Sequence, residues 1–145
     1  MEIKDIVEIQ QLEALYGHAI DMPDQSLFAL VFTEDAIFDG RPCGSERYVG
    51  REAIAAWFGL GKPPHPLAHH MTNCWVREED GRVLVRSKCI FRHPLDGSIC
   101  FGDYDDEVVR TAHGWRIKLR VVAPRDPPAT LQPGTSGVPR AESTP

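Results

Sequence analysis

The 145 residues are enough for one domain with one core, because a domain of this size buries roughly two-thirds of the surface its unfolded chain exposes. Sixteen Lys and Arg against 21 Asp and Glu give a formal charge of −5, with no basic stripe to neutralise phosphates, so nucleic acid is not an expected partner. No apolar run approaches the roughly 20 residues of a membrane span, and Met1-Glu2-Ile3-Lys4-Asp5 is charged rather than signal-like; no membrane association and a cytoplasmic location are expected. Cys43, Cys74, Cys89 and Cys100 stand far apart, without the C-x-x-C spacing of zinc or redox sites, and read as reduced thiols.

From Ile3 to Ile20 the apolar residues recur at mostly three- and four-residue intervals, which predicts a long first helix. It must stop near Asp21-Met22-Pro23, because a residue before proline is pushed out of the helical region. Asp24 is the expected N-cap of a second, shorter helix over Gln25 to Phe32, with Leu27, Phe28, Leu30 and Val31 turned inward. Ala36 to Asp39 reads as a short strand, and Ile54, Trp57 and Phe58 mark a third helix between Gly50 and Phe58. Four longer strands follow, Leu67 to Val76, Arg82 to Arg92, Ser98 to Arg110 and Trp115 to Val122, separated by the turn pairs Asp80-Gly81, Asp96-Gly97 and His113-Gly114. Helices first and an antiparallel meander afterwards indicate an α+β domain with helices gathered on one face of a sheet. Beyond Pro124 the chain turns to Pro, Thr, Ser and Gly, so residues 1–124 are the expected domain and 125–145 a mobile tail.

Successive strand side chains point to opposite faces, which sorts the candidates. In the strand from Arg82, the set Val83, Val85, Ser87, Cys89 and Phe91 faces inward; in the next, crowding of Asp103, Asp105 and Glu107 on one face turns Tyr104, Asp106 and Val108 inward. In the strand from Leu67, the set Leu67, His69, Met71, Asn73 and Trp75 has more apolar area than its alternative and is the expected inner face. That mixes His69 and Asn73 with an apolar wall, the composition of a small-molecule cavity, although two satisfied core polar groups would look the same.

Asp21 meets the negative end of the helix dipole, so something beyond the helix should favour its charge there. A plain turn aspartate is one reading; the other is that it accepts a hydrogen bond from one nitrogen of His69 and leaves the second nitrogen as a base. Tyr16 packs inward from the same helix, and its hydroxyl needs a partner, either a backbone carbonyl or a substrate oxygen. His65, His69 and His70 offer a metal-ligand alternative, but Pro66 and the extended pattern put His69 and His70 on opposite sides of a strand, and no metal is expected.

The stretches Y-G-H-A-I-D at Tyr16 to Asp21, T-E-D-A-I-F-D at Thr33 to Asp39, Y-V-G-R-E-A-I at Tyr48 to Ile54, A-H-H-M-T-N at Ala68 to Asn73, and the later D-G-R-V and H-G-W-R-I resemble the SnoaL-like, nuclear-transport-factor-2-like superfamily. The likeness runs from Ile3 to about Pro124 and looks closest to the scytalone dehydratase and bile-acid 7α-dehydratase branch. It implies a cone-shaped, curved mixed or antiparallel sheet with about three N-terminal helices, the cystatin-like fold. It also implies a cofactor-independent dehydratase acting on a small hydrophobic hydroxy-carbonyl substrate of polyketide, aromatic or steroid type, in a homo-oligomer, dimer or trimer. The aspartate and histidine of that branch fall on Asp21 and His69, and the tyrosine of its bile-acid enzymes on Tyr16. Substrate contacts are expected from Tyr48, Trp57, Met71 and Asn73, and from Phe91, Tyr104, Asp106 and Arg120. Arg120 alternates with Trp115, Ile117 and Leu119, so simple parity sends it outward and only a bulge would bring it in. The chain departs from scytalone dehydratase at Ile20 and near Gly40, where that enzyme has tyrosines, which makes scytalone itself a poor substrate. Isomerase, polyketide cyclase and non-catalytic binding or assembly domain are the alternative functions on the same fold.

Overall fold

A computed structural model of the chain describes residues 1–22, 25–59 and 65–125. The expected Asp24 cap and the tail from 126 onward lie outside these residues. Helix α1 spans Ile3–Asp21, and its interior stripe is Ile9, Leu12, Tyr16, Ala19 and Ile20, all buried. Fully burying an Ile or Leu contributes about 1.5–3 kcal/mol each, so this stripe and not the helix's intrinsic propensity holds α1 in place. Ile3 and Val7, which continue the periodic pattern, stay exposed.

The second helix is shorter than its sequence suggests. A single 3-10 turn at Gln25–Leu27 leads into α2, Phe28–Val31, and Phe32 already begins strand β1, Phe32–Asp39. Phe28 and Val31 are buried as expected, whereas Leu30 is exposed, because one turn of helix presents only one face to the core. Strand β2, Arg47–Val49, is a three-residue edge strand with no periodic signal of its own, and α3 spans Arg51–Gly59. Strands β3 (His70–Glu79), β4 (Arg82–Arg92), β5 (Ile99–Thr111) and β6 (Gly114–Pro124) form the meander.

The six strands make one mixed, open, curved sheet in the order β2-β1-β6-β5-β4-β3. All neighbours are antiparallel except β1 and β6, which run parallel. Helix α1 packs across β3 and β6, and α3 across β1, so the helices cover one face. On the opposite face, Asp103, Asp105 and Glu107 of β5 pair with Lys88, Arg86 and Arg82 of β4. These cross-strand ion pairs explain the acidic alternation and fix which face is solvated.

Two bulges set the inner face. Between Thr72 and Trp75 of β3, two residues oppose one on β4, and Asn73 takes a left-handed backbone with φ +51°. Parity reverses there: Met71 packs on the core, Asn73 and Trp75 are exposed, and Cys74 and Val76 replace them inside. Leu67, expected inside, precedes the strand and is 92% exposed. The inner set read from simple alternation therefore holds only for His69 and Met71. In β6 the register slips between Glu107 and Val108 of its partner strand, leaving Lys118 as the extra residue. Beyond it Arg120 turns inward and is completely buried.

Candidate functional site

The end of α1 and the start of β3 meet at one carboxylate. The backbone N–H of His69 donates to Asp21 Oδ2 at 2.8 Å, and the ring Nδ1 of His69 lies 2.6 Å from Oδ1. A carboxylate only accepts, so Nδ1 carries the proton and Nε2 keeps its lone pair. These two donors supply what the helix dipole denies Asp21. The approach is close because residue 17 is glycine: a Cβ there would sit 2.8 Å from the carbonyl oxygen of His69. Gly17 thus lets α1 press against the chain entering β3, and Asp21, one turn later, reaches the imidazole.

His65, in the segment leading into β3, completes a three-residue cluster. Its Nε2 stands 3.9 Å from Asp21 Oδ1, and its ring lies 5.0 Å, centroid to centroid, from that of His69. Burial lowers the pKa of His69, with the hydrogen bond and charge of Asp21 opposing the shift, and burial likewise lowers that of His65. Both rings are therefore neutral at pH 7. Asp21, His65 and His69 each offer one ligand atom within 4.8 Å of the others, the one such grouping among the described residues. The ligand set weighed from sequence thus changes membership: His70 is exposed on the other side of the strand, and Asp21 takes its place.

His69 opens onto a cavity of about 470 Å³, within the range of small-ligand sites. Phe38, Trp57, Phe58 and Phe91 form its apolar wall, the buried phenols Tyr16 and Tyr104 lie at its inner end, and Cys43, Pro94 and Leu95 stand at its exposed rim. The ring of Phe91 flanks that of His69 at 5.6 Å. His65 lines both this cavity and a second, smaller one of about 200 Å³ beside α3, whose wall also includes Asp21. Burial pushes the Tyr16 hydroxyl well above the usual phenol range, with the Arg120 charge opposing, and burial raises Tyr104 too. Both phenols are therefore hydrogen-bond donors at neutral pH. Cys89, beneath them, is pushed up to about 11 by burial, which leaves its thiol protonated and supports its reading as a core residue.

Under the phenols lies a buried charge cluster. Arg120 donates from Nε and Nη2 to both oxygens of Asp106 at 2.8 and 2.6 Å, and from Nη2 to Glu13 Oε2 at 2.6 Å; Ser87 Oγ donates to the same Glu13 oxygen at 3.2 Å. The guanidinium carbon sits 3.8 Å from the Tyr16 ring centroid and 5.0 Å from that of Tyr104. Burial raises the Asp106 carboxyl well above the usual range, the Arg120 charge opposes this, and the Glu13 charge adds to it.

Of the residues expected to contact substrate, Trp57, Phe91 and Tyr104 line the large cavity. Asp106 and Arg120 lie behind Tyr16 and Tyr104 rather than on the wall, and Met71 packs near Gly17 of α1. Tyr48 stacks on Trp57 at 5.0 Å from outside the cavity, and Asn73 is turned to solvent by the bulge. Sequence reasoning missed Glu13, although Ile9, Glu13, Tyr16 and Ile20 share one helical face, and a charge in that stripe is itself a signal. The loop His93-Pro94-Leu95 also borders the cavity, with no sequence signal beyond a turn to mark it.

The SnoaL-like domain model matches residues 1–121. The chain belongs to the SnoaL-like family. This SnoaL-like protein is 35% identical over 128 residues to uncharacterized proteins of Mycobacterium tuberculosis and Mycobacterium bovis, covering 83% of its own length and 85% of theirs. A protein from Novosphingobium aromaticivorans described as nuclear-transport-factor-2-like with a cystatin-like fold superposes with a TM-score of 0.74 at 26% identity, over 88% of this chain and 86% of that one. A second protein from that organism, provisionally named a scytalone dehydratase, gives 0.66 at 22% identity over 86% of each chain. The latter likeness is one of fold.

Proposed function

We propose that this SnoaL-like protein is a cofactor-independent dehydratase for a small hydrophobic hydroxy-carbonyl compound. The observation that carries the reading is the double grip of Asp21 on His69, which fixes the ring tautomer and presents a neutral Nε2 to an apolar cavity. In this reading Nε2 of His69 removes a proton next to the substrate carbonyl, and Asp21 stabilises the resulting imidazolium. Tyr16, held as a neutral phenol by burial, donates a hydrogen bond to the enolate-like oxygen, and in the same reading Tyr104 binds the departing hydroxyl. The imidazolium of His69 returns that proton to the departing hydroxide, and loss of water from the β-carbon restores the carbonyl as an enone. The aromatic wall of Phe38, Trp57 and Phe91 favours a ring system over a sugar or nucleotide.

Isomerisation and ring closure also begin with proton abstraction beside a carbonyl, and the product mass separates them from dehydration. The test is incubation of wild-type and His69→Ala protein with a panel of β-hydroxy ketones of polyketide, aromatic and steroid type, followed by mass spectrometry. A product lighter by one water, formed about 10²–10⁴-fold more slowly by the variant, is the expected result. A product of unchanged mass replaces dehydration by isomerisation; equal rates for the two proteins remove His69 from the chemistry.

A further inference from the structure

We infer that Asp21, His65 and His69 also form a binding site for one divalent transition-metal ion of the Zn²⁺ class. The observation is a lone pair with nothing to meet. His65 Nε2 is buried and has no hydrogen-bond partner, so in its unprotonated tautomer it offers a lone pair that nothing in the described protein meets.

That lone pair faces Asp21 Oδ1 across 3.9 Å, too far for a hydrogen bond and acceptor against acceptor. A cation between them removes the repulsion. With metal–ligand bonds of about 2.0–2.2 Å, tetrahedral ligands stand roughly 3.3 Å apart. The 3.9 Å gap to His65 must close and the 2.6 Å contact between Asp21 and His69 must open, each by well under 1 Å, and the two histidine ligand atoms, within 4.8 Å of each other, must approach by up to about 1.5 Å. The Nδ1 proton of His69, held by Asp21 in the metal-free protein, leaves to solvent. Two imidazoles and one carboxylate select first-row transition ions over Mg²⁺ or Ca²⁺, which prefer all-oxygen sites. The two cavities meet at His65 and Phe58, with Asp21 on the wall of the smaller and His69 on that of the larger, and provide a route for the ion and space for its remaining ligands. An ion there ties up the His69–Asp21 pair, so metal and acid–base chemistry exclude each other; this last consequence rests on the proposed function, whereas binding itself does not.

The test is titration of tag-free protein with cobalt(II) chloride, read by visible d–d absorption without any turnover. Wild type and His70→Ala are expected to saturate at one ion per chain. His65→Ala, in a loop position where thermal unfolding verifies the fold, is expected to lose at least about tenfold in affinity. Absence of a saturable band in wild type, or equal affinity of His65→Ala and wild type, overturns the site.

Discussion

Replacing Arg120 by Met is the most informative perturbation of this fold. The side chain is 0% exposed and donates three hydrogen bonds of 2.6–2.8 Å to carboxylates that are themselves 2% and 0% exposed. Methionine fills much of the volume but leaves Glu13 and Asp106 facing each other without a counter-charge. Breaking a buried ion pair from one side costs about 3–5 kcal/mol. In a domain near 150 residues each kcal/mol lowers Tm by about 2–4 °C, so a drop of roughly 6–20 °C is expected in differential scanning calorimetry at pH 7. The deficit should depend on pH with a defined sign. Without the guanidinium the folded-state pKa of Asp106 rises further above its unfolded value, so the variant is least impaired at low pH and loses stability as pH rises through that raised folded value. Removing all three charges together, with Glu13→Leu and Asp106→Leu added to Arg120→Met, should recover most of the loss, since an apolar cluster avoids the desolvation cost. A single Arg120→Met variant within about 1 kcal/mol of wild type, or a deficit independent of pH, would refute the view that the cluster is an obligatory charge balance.

Three further outcomes follow from the geometry. Gly17→Ala should destabilise by about 1–3 kcal/mol, because the clash at 2.8 Å with the His69 carbonyl exceeds the roughly 1 kcal/mol that alanine gains in helix propensity, and imidazole NMR should show His69 released from Asp21. Burial depresses the folded-state pKa of His69 and His65, so their contribution to stability is full above the unfolded value of about 6.5 and is lost as pH falls through the folded values; the acid limb of kcat/KM should accordingly lie below pH 6.5. Asn73→Gly should be nearly neutral in urea unfolding and Asn73→Val should cost about 1–2 kcal/mol or more, because only the former tolerates φ +51°.

Much of the molecule was readable from the chain itself, and the reason is periodicity. The spacing of Leu12, Tyr16, Ala19 and Ile20 announces a buried helical stripe, and the turn pairs Asp80-Gly81 and Asp96-Gly97 delimit the long strands. Alternation in β4 and β5 placed Ser87, Cys89, Tyr104 and Asp106 on the inner face, where they are buried. The meeting of Asp21 with His69, 48 residues apart, was also legible, since a carboxylate at a helix C-terminus needs donors from elsewhere.

What tertiary structure alone decided lies where the backbone leaves its regular repeat. A single left-handed residue at Asn73 reverses the faces of β3 and sends Trp75 to solvent, and one extra residue at Lys118 brings Arg120 into the core beside Glu13. The closeness of His65 to Asp21 likewise depends on how the segment before β3 descends onto α1 over Gly17. Local pattern specifies an element because each residue there repeats its neighbour's geometry. A bulge or a helix–strand crossing is set by contacts between distant segments, whose energies are summed only once the chain has closed around its core.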